Sequence, residues 1–369
     1  AERQPPLRLT MMLDNADRTA LGLDVADVVQ GETPVEVTVQ REAKGDLATK
    51  VRIDLTKAEV MIDSINWRKA PGRAATFQFD AAKGPGTGAA ARIELQNVKF
   101  VGDDAAIEGW MAIGPDNKLR EMAFPNFSVN VVTRLDVQGK KRLPENVWEI
   151  TARGKTFDGK DVFRALFDLG QASEKFVAKD KPGLDLDAEI ETVIGFSDTS
   201  LRNVKIKASK RNEKLTALNA TGVLEGNKPF VAELAQTPQG RQLRAQSMDA
   251  GQTFKLVGFY PNAVGGEMKL QVDLDARCAT EKSGILWTRN FAVLGDPIVS
   301  EVLQSADNAP SSTQGGPKKR VVRSQFDFDV MGVPFAIGPG NFVMNEAFIR
   351  GPLIGASWRG KVDFRSRLL

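Results

Sequence analysis

Leu184, Leu186, Ala188 and Ile190 alternate with Asp185, Asp187, Glu189 and Glu191. Side chains of an extended chain reverse face at every residue, so four apolar groups share one side and four carboxylates the other. This two-residue period recurs from one end of the sequence to the other. Val35, Val37 and Val39 oppose Glu36 and Thr38. Beyond a Gly45-Asp46 turn signal, Leu47, Val51, Ile53 and Leu55 continue on a strand whose other face holds Lys50, Arg52 and Asp54. Further strands are predicted over 73–80, 88–96, 105–113, 117–124, 126–138, 146–154, 201–209, 214–224, 229–235 and 240–247. Turns are expected at 114–117, Gly139-Lys140, Gly226-Asn227 and 238–240. A spacing of about 8–12 residues marks an all-β architecture.

Three segments break the period. In 161–170, Val162, Ala165, Leu166 and Leu169 form a helical stripe that ends at Gly170. In 249–260, Asp249 suits an N-cap and Pro261 a stop. In 296–304, Asp296 caps and Pro297 takes the first helical position. Each is too short to roof a sheet of many strands. Residues 305–319, rich in Ser, Gly and Pro, read as a loop, flanked by the basic cluster Lys318, Lys319, Arg320 and Arg323. That cluster is a solvated loop flank or, in its functional reading, a contact for anionic headgroups.

Composition narrows the chemistry. The 369 residues contain no histidine and one cysteine, Cys278. An internal disulfide, a Cys-rich zinc site and the His-dependent nucleophile pairs are therefore excluded. Carboxylate-only, Lys-based or oxygen-ligand chemistry stays open to such a chain; the expectation is nonetheless no metal, no cofactor and no bond-making chemistry. Fifty Lys plus Arg nearly balance forty-seven Asp plus Glu, which argues against a nucleic-acid partner. No run approaches the roughly 20 apolar residues of a membrane-spanning helix. The stretch GPGTGAAA, 84–91, lacks the Lys-Ser/Thr ending of a phosphate loop and reads as a turn. The chain begins with Ala, and no signal-peptide pattern precedes its first strand, so it reads as an excised segment.

Something must cover the dry face of so many amphipathic strands. Two sheets can press together at ~10 Å as a sandwich. Alternatively, strands of about 9–11 residues, ~30 Å long, can arch into a trough. An even aliphatic floor in such a trough would hold acyl chains, each methylene gaining ~0.8 kcal/mol on leaving water.

The segments 21–39, 65–80, 247–274, 284–304 and 335–364 together resemble the C-terminal region of AsmA-like proteins of the YhdP-type branch. The resemblance rests on Asp249-Ala250-Gly251, Gly265-Gly266, Asp296-Pro297 and Gly351-Pro352-Leu353 with Gly355. It implies a repeating β-groove protein of the Gram-negative periplasm. An N-terminal helix preceding this segment would anchor it in the inner membrane. Phospholipids would be its cargo, moved towards the outer membrane, and an outer-membrane or periplasmic protein would meet its C-terminal end. The resemblance also implies a continuation beyond Leu369, and the closing RSRLL departs from the family's final strand.

The expected fold is mainly β: an extended, twisted, mostly antiparallel β-groove with a few short α-helices. Residues 1–160 form its N-terminal part, 161–304 carry the short helices, 305–319 loop out and 320–369 supply the last strands. The expected lipid floor comprises Val37, Val39, Val51, Ile53, Leu55, Ile93, Leu95, Val129, Val131, Leu186, Ile190, Leu218 and Leu270. The competing reading is a periplasmic β scaffold that assists outer-membrane assembly through an exposed edge strand. A weaker third is a glycan binder using Trp67, Trp110, Trp148, Trp287 and Trp358.

Overall fold

The computed structural model describes residues 5–23, 25–41, 47–62, 65, 67–87, 91–167, 181–212, 214–275, 282–297, 301, 325–338 and 341–363. The fold is mainly β. Among the described residues, nineteen strands belong to one large, twisted, mostly antiparallel sheet that does not close, three short strands form a second sheet, and three helices are short. The chain divides into two compact units: residues 1–162 with 178–193 and 205–215, and residues 163–177 and 194–204 with 216–369.

The first unit opens with β1 (Leu7–Leu13) and α1 (Asn15–Ala20), followed by the two-residue β2 (Val29–Gln30). The ladder continues through β3 (Thr33–Arg41) and β4 (Leu47–Asp54). β5 (Glu59–Ile62) and β6 (Trp67–Lys69) leave it to pair with β2 as the small sheet. It resumes with β7 (Ala75–Lys83), β8 (Ile93–Gly102), β9 (Ala105–Ile113), β10 (Leu119–Val129), β11 (Thr133–Arg142) and β12 (Val147–Asp158). Antiparallel pairing runs from β1 to β3, β4, β7, β8, β9, β10, β11 and β12 in that order. Helix α1 escapes the hydrophobic pattern because its signal is polar. Asp14 accepts from the Asp17 amide and Asp17 from the Asp14 amide, a reciprocal capping box. Buried Arg18 on α1 donates to Leu13 O, Thr33 Oγ1 and Gly31 O, tying the helix to β1 and β3.

Helix α2 (Lys160–Phe167) follows, and its expected stop at 168–170 lies outside the described residues. β13 (Gly183–Ile194), the strand of near-uninterrupted alternation, has buried Ala188 and Ile190 facing away from Asp187 and Glu189. β14 (Ser200–Arg211) and β15 (Lys214–Leu224) contribute residues to both units.

The second unit continues with β16 (Lys228–Thr237), β17 (Gly240–Ser247), α3 (Ala250–Leu256), β18 (Ala263–Asp273), β19 (Lys282–Leu294), β20 (Gln325–Gly338), β21 (Asn341–Arg350) and β22 (Gly355–Asp363), the strands pairing antiparallel in sequence order. The Asp249 side chain caps α3 by accepting from the Gln252 amide at 2.9 Å. Ala250 and Phe254 bury against Ala263 and Met268 of β18. A Cβ on Gly251 would lie 2.6 Å from Ala263 O and from Val264 Cα, so only glycine lets α3 seat this closely. α3 is shorter than the expected 249–260. Most of 296–304, and all of 305–319 with Cys278, lie outside the described residues.

Two turns fall elsewhere than the sequence pattern suggests. The expected strand 126–138 is split, because Asn130 (φ 54°) and Val131 (φ 60°) turn the chain between β10 and β11. Gly139-Lys140 lies inside β11 instead of at a turn. A Cβ on Gly139 would meet Met122 Cε at 2.7 Å and Ile150 Cδ1 at 2.8 Å, so this glycine makes room for cross-strand neighbours.

Candidate functional site

Cross-strand partners share a face, so the register of the first unit sorts its side chains into rows. One row is Met11, Val35, Ile53, Phe77, Phe100, Ile107, Phe127 and Leu135, a line of apolar side chains over eight strands. A parallel row on the same face is Leu7, Val39, Thr49, Ala81, Leu95, Met111, Met122, Gly139 and Ile150. Between them stand Leu9, Val37, Val51 and Phe79. At ~4.8 Å between strands, eight strands cover roughly 34 Å along the ladder.

The opposite face is polar. Its counterpart row reads Thr10, Glu36, Arg52, Gln78, Lys99, Glu108 and Asn126. Lys99 Nζ stands 2.8 Å from Glu108, and its hydrogen bond holds that carboxyl below the ordinary carboxylate range. On β13 the carboxylates also face basic partners. Arg153 reaches Asp187 at 2.7 Å and Arg211 reaches Asp185 at 2.8 Å. These acidic residues keep a solvated face in charge balance.

The small sheet roofs one end of the apolar face. Trp67 and Val60 bury with Leu55, Ala75, Phe100, Ala105, Ile107 and Val129, while Ile62, Ile53, Phe77, Phe124 and Phe127 pack around them. The rows farther from this roof stay half-buried: Val37, Val39, Val51, Phe79, Leu95, Met111 and Met122 are neither enclosed nor fully exposed.

The expected floor residues therefore separate. Val37, Val39, Val51 and Leu95 lie on the half-covered stretch. Ile53 sits beneath the roof, and Leu55 (4% exposed) and Val129 (1%) are inside its core. Ile93 is exposed at the end of its strand, in line with Lys83 and Ile113. Val131 is 71% exposed in a turn and lines no face. On β13, Leu186 is half-buried and Ile190 buried. Lys318, Lys319, Arg320 and Arg323 lie outside the described residues.

The second unit repeats the division of faces. Ala220, Ala232, Ala245, Leu270, Leu286 and Val333 form one row, and Leu234, Leu243, Val272, Gly284, Phe335 and Met344 the next. Here α3 covers one stretch, with Leu270 and Leu286 packed beside it. Leu218 is half-buried on β15. Both units thus carry an apolar strand face on which a small element packs.

Among the described residues, no group of three or more His, Cys, Asp or Glu is placed to hold a metal ion. The Tyr260 hydroxyl donates to Asp296, and burial, with this acceptor, drives its pKa far above the ordinary phenol value. It packs beside Phe291 and Phe328 as part of a core.

Searches of family models, curated proteins and solved structures found no match. No helix among the described residues is long and apolar enough to cross a membrane.

The sequence pattern missed the roof, because β2, β5 and β6 have only two, four and three residues, too few to display a period. It also missed the second half of β8. There Asn97 (φ 52°) forms a bulge that leaves Leu95 and Val98 on one face although three positions separate them. The Asn97 side chain donates to Asp80 at 2.8 Å. Asparagine tolerates the left-handed backbone, and this is the signal by which the bulge could be found.

Proposed function

We propose that the chain is a non-enzymatic carrier of phospholipid acyl chains in the periplasm, part of an inner-membrane-anchored envelope protein that moves lipid towards the outer membrane. The observation that carries this reading is the half-buried apolar stretch of Val37, Val51, Phe79, Leu95, Met111 and Met122, adjoining but outside the core under the small sheet. A side-by-side series of aliphatic groups offers a guest similar energy at neighbouring positions, which favours sliding over trapping. The ~0.8 kcal/mol gained per methylene supplies the attraction. The resemblance to YhdP-type AsmA-like proteins supports the compartment, the anchor and the direction.

Gentle purification from cells followed by native mass spectrometry tests it. Phospholipid should co-purify and should be displaced by excess detergent. Repeated lipid-free protein would instead favour the envelope scaffold, with apolar rows serving only as core.

A further inference from the structure

We infer that Lys118, Arg120 and Lys141, at the end of the first unit's apolar face, form a phosphate site that receives the headgroup of a bound lipid. The inference deepens the carrier reading and rests on it. In β11, Lys141 follows Gly139 by two residues, on the face where Gly139 lies between Met122 and Ile150. Two residues of strand span about 6.8 Å, the scale of a short polar linker between chain and headgroup.

The cluster has an excess of positive charge. Glu121 pairs with Lys140 across the β10–β11 ladder, which sets Arg120 beside Lys141, and the Lys118 amide donates to Asp116, itself 2.5 Å from Arg120, so three cations stand around one carboxylate. Among the described residues Lys141 makes no ion pair. It is half-buried, and burial together with Arg120 and Lys118 lowers its pKa against the pull of Asp116. An anion brought to this place offsets the repulsion and favours the charged amine against the cost of its burial.

The Arg120 side chain is 22% exposed. It occupies space that Gly114 leaves open, since a Cβ there would lie 2.6 Å from Arg120 Nε. A guanidinium so held keeps donors free for phosphate oxygens. Opposite Lys141 across the β11–β12 ladder is half-buried Trp148, a ring suited to the boundary between apolar chain and polar head.

Calorimetric titration of delipidated protein with dihexanoyl phosphatidic acid, dihexanoylglycerol and inorganic phosphate separates the possibilities. Wild type should bind the phosphatidic acid about tenfold more tightly than the neutral lipid, a difference of about 1.4 kcal/mol. The pair Arg120→Gln with Lys141→Gln should erase that preference and leave dihexanoylglycerol binding unchanged. Lys141→Gln alone, which leaves the Arg120–Asp116 clamp intact, should remove about a threefold part of it. Equal affinity of wild type for both lipids, or a preference that survives in the variants, overturns the site while the carrier reading stands. If only inorganic phosphate binds, and the variants lose it, the ligand is free phosphate and the carrier reading fails. If nothing binds, both fail.

Discussion

Trp67 and Phe100 meet edge to face, ring centroids 5.8 Å apart and planes at 89°, and through this contact the small sheet is seated on the apolar side of the large one. Trp67 is 3% exposed, yet its indole Nε1 has no hydrogen-bond partner. Its contribution is therefore packing, reduced by an unsatisfied donor. Trp67→Ala should cost about 3–5 kcal/mol in chemical denaturation of the first unit. Trp67→Phe keeps a ring and removes the orphan N–H, so it should cost no more than about 1–2 kcal/mol. Similar losses in both variants would mean that the indole N–H is satisfied in solution.

On the proposed carrier reading, the face a side chain takes decides its effect where the roof ends. Val51 lies between Val37 and Phe79 on the apolar side, and its neighbour Lys50 lies between Thr38 and Asp80 on the other. Val51→Asp should sharply lower co-purifying phospholipid, since a carboxylate there must be desolvated when a chain lies over it. Thr38→Asp, placed opposite Lys50, should leave lipid content near that of wild type. Circular dichroism on both proteins verifies the fold. A comparable loss of lipid in both would refute the assignment of faces. Ile53 and Ile190 are unsuitable for this test, because one packs beneath the roof and the other is 7% exposed, so a charge at either threatens folding first.

How much of this was legible follows from the length of each element. β13 was readable from twelve residues of near-uninterrupted alternation, and the hairpin of β3 and β4 from Val35, Val37, Val51 and Ile53. α3 was legible through its cap, Asp249, and Gly251 stands out because it must approach Ala263. Single-strand alternation cannot report which part of an apolar face a distant segment covers. Leu55 and Val51 look alike in the sequence, yet the first is enclosed by Trp67 and Val60 and the second is not. Positive-φ positions such as Asn97 and Val131 shift or end the period without any change in hydrophobicity, which is why one strand was cut short and another run through its turn.

Acid should weaken the fold through a few placed carboxylates. The hydrogen bond from Arg211 holds the Asp185 carboxyl below its ordinary value of 3.8, and those from Thr56 do the same for Asp54. A carboxyl whose folded pKa is depressed contributes stability that is complete above the unfolded value and is lost as pH falls through the folded one. Melting temperature should thus hold steady from neutral pH to just above 3.8 and fall below it. Asp185→Asn should lower stability by roughly 1 kcal/mol at neutral pH and flatten the acid limb. An unchanged slope below pH 3.8 would show that Asp185 is not among the groups that set it.

Gly251 and Gly226 separate close approach from backbone freedom. Gly226 adopts φ 70° in the turn 225–227, and a Cβ there would meet nothing within 4 Å. Gly226→Ala should therefore cost only the left-handed penalty of about 1 kcal/mol. Gly251 sits in α3, where alanine is the better helix former by about 1 kcal/mol, yet its Cβ would lie 2.6 Å from the backbone of Ala263 and Val264. Backbone atoms in a paired strand cannot swing aside as a side chain can, so α3 must lift from β18 or the strand must distort. Overpacking of this kind costs about 1–3 kcal/mol or more, which outweighs the helical gain. Thermal denaturation should show Gly251→Ala as the more damaging of the two. Hydrogen exchange should place the loss in the α3 amides, including Thr253, which donates to Asp249 O at 3.1 Å in the native helix. A Gly251→Ala protein as stable as wild type would mean that α3 does not seat on β18 at this distance.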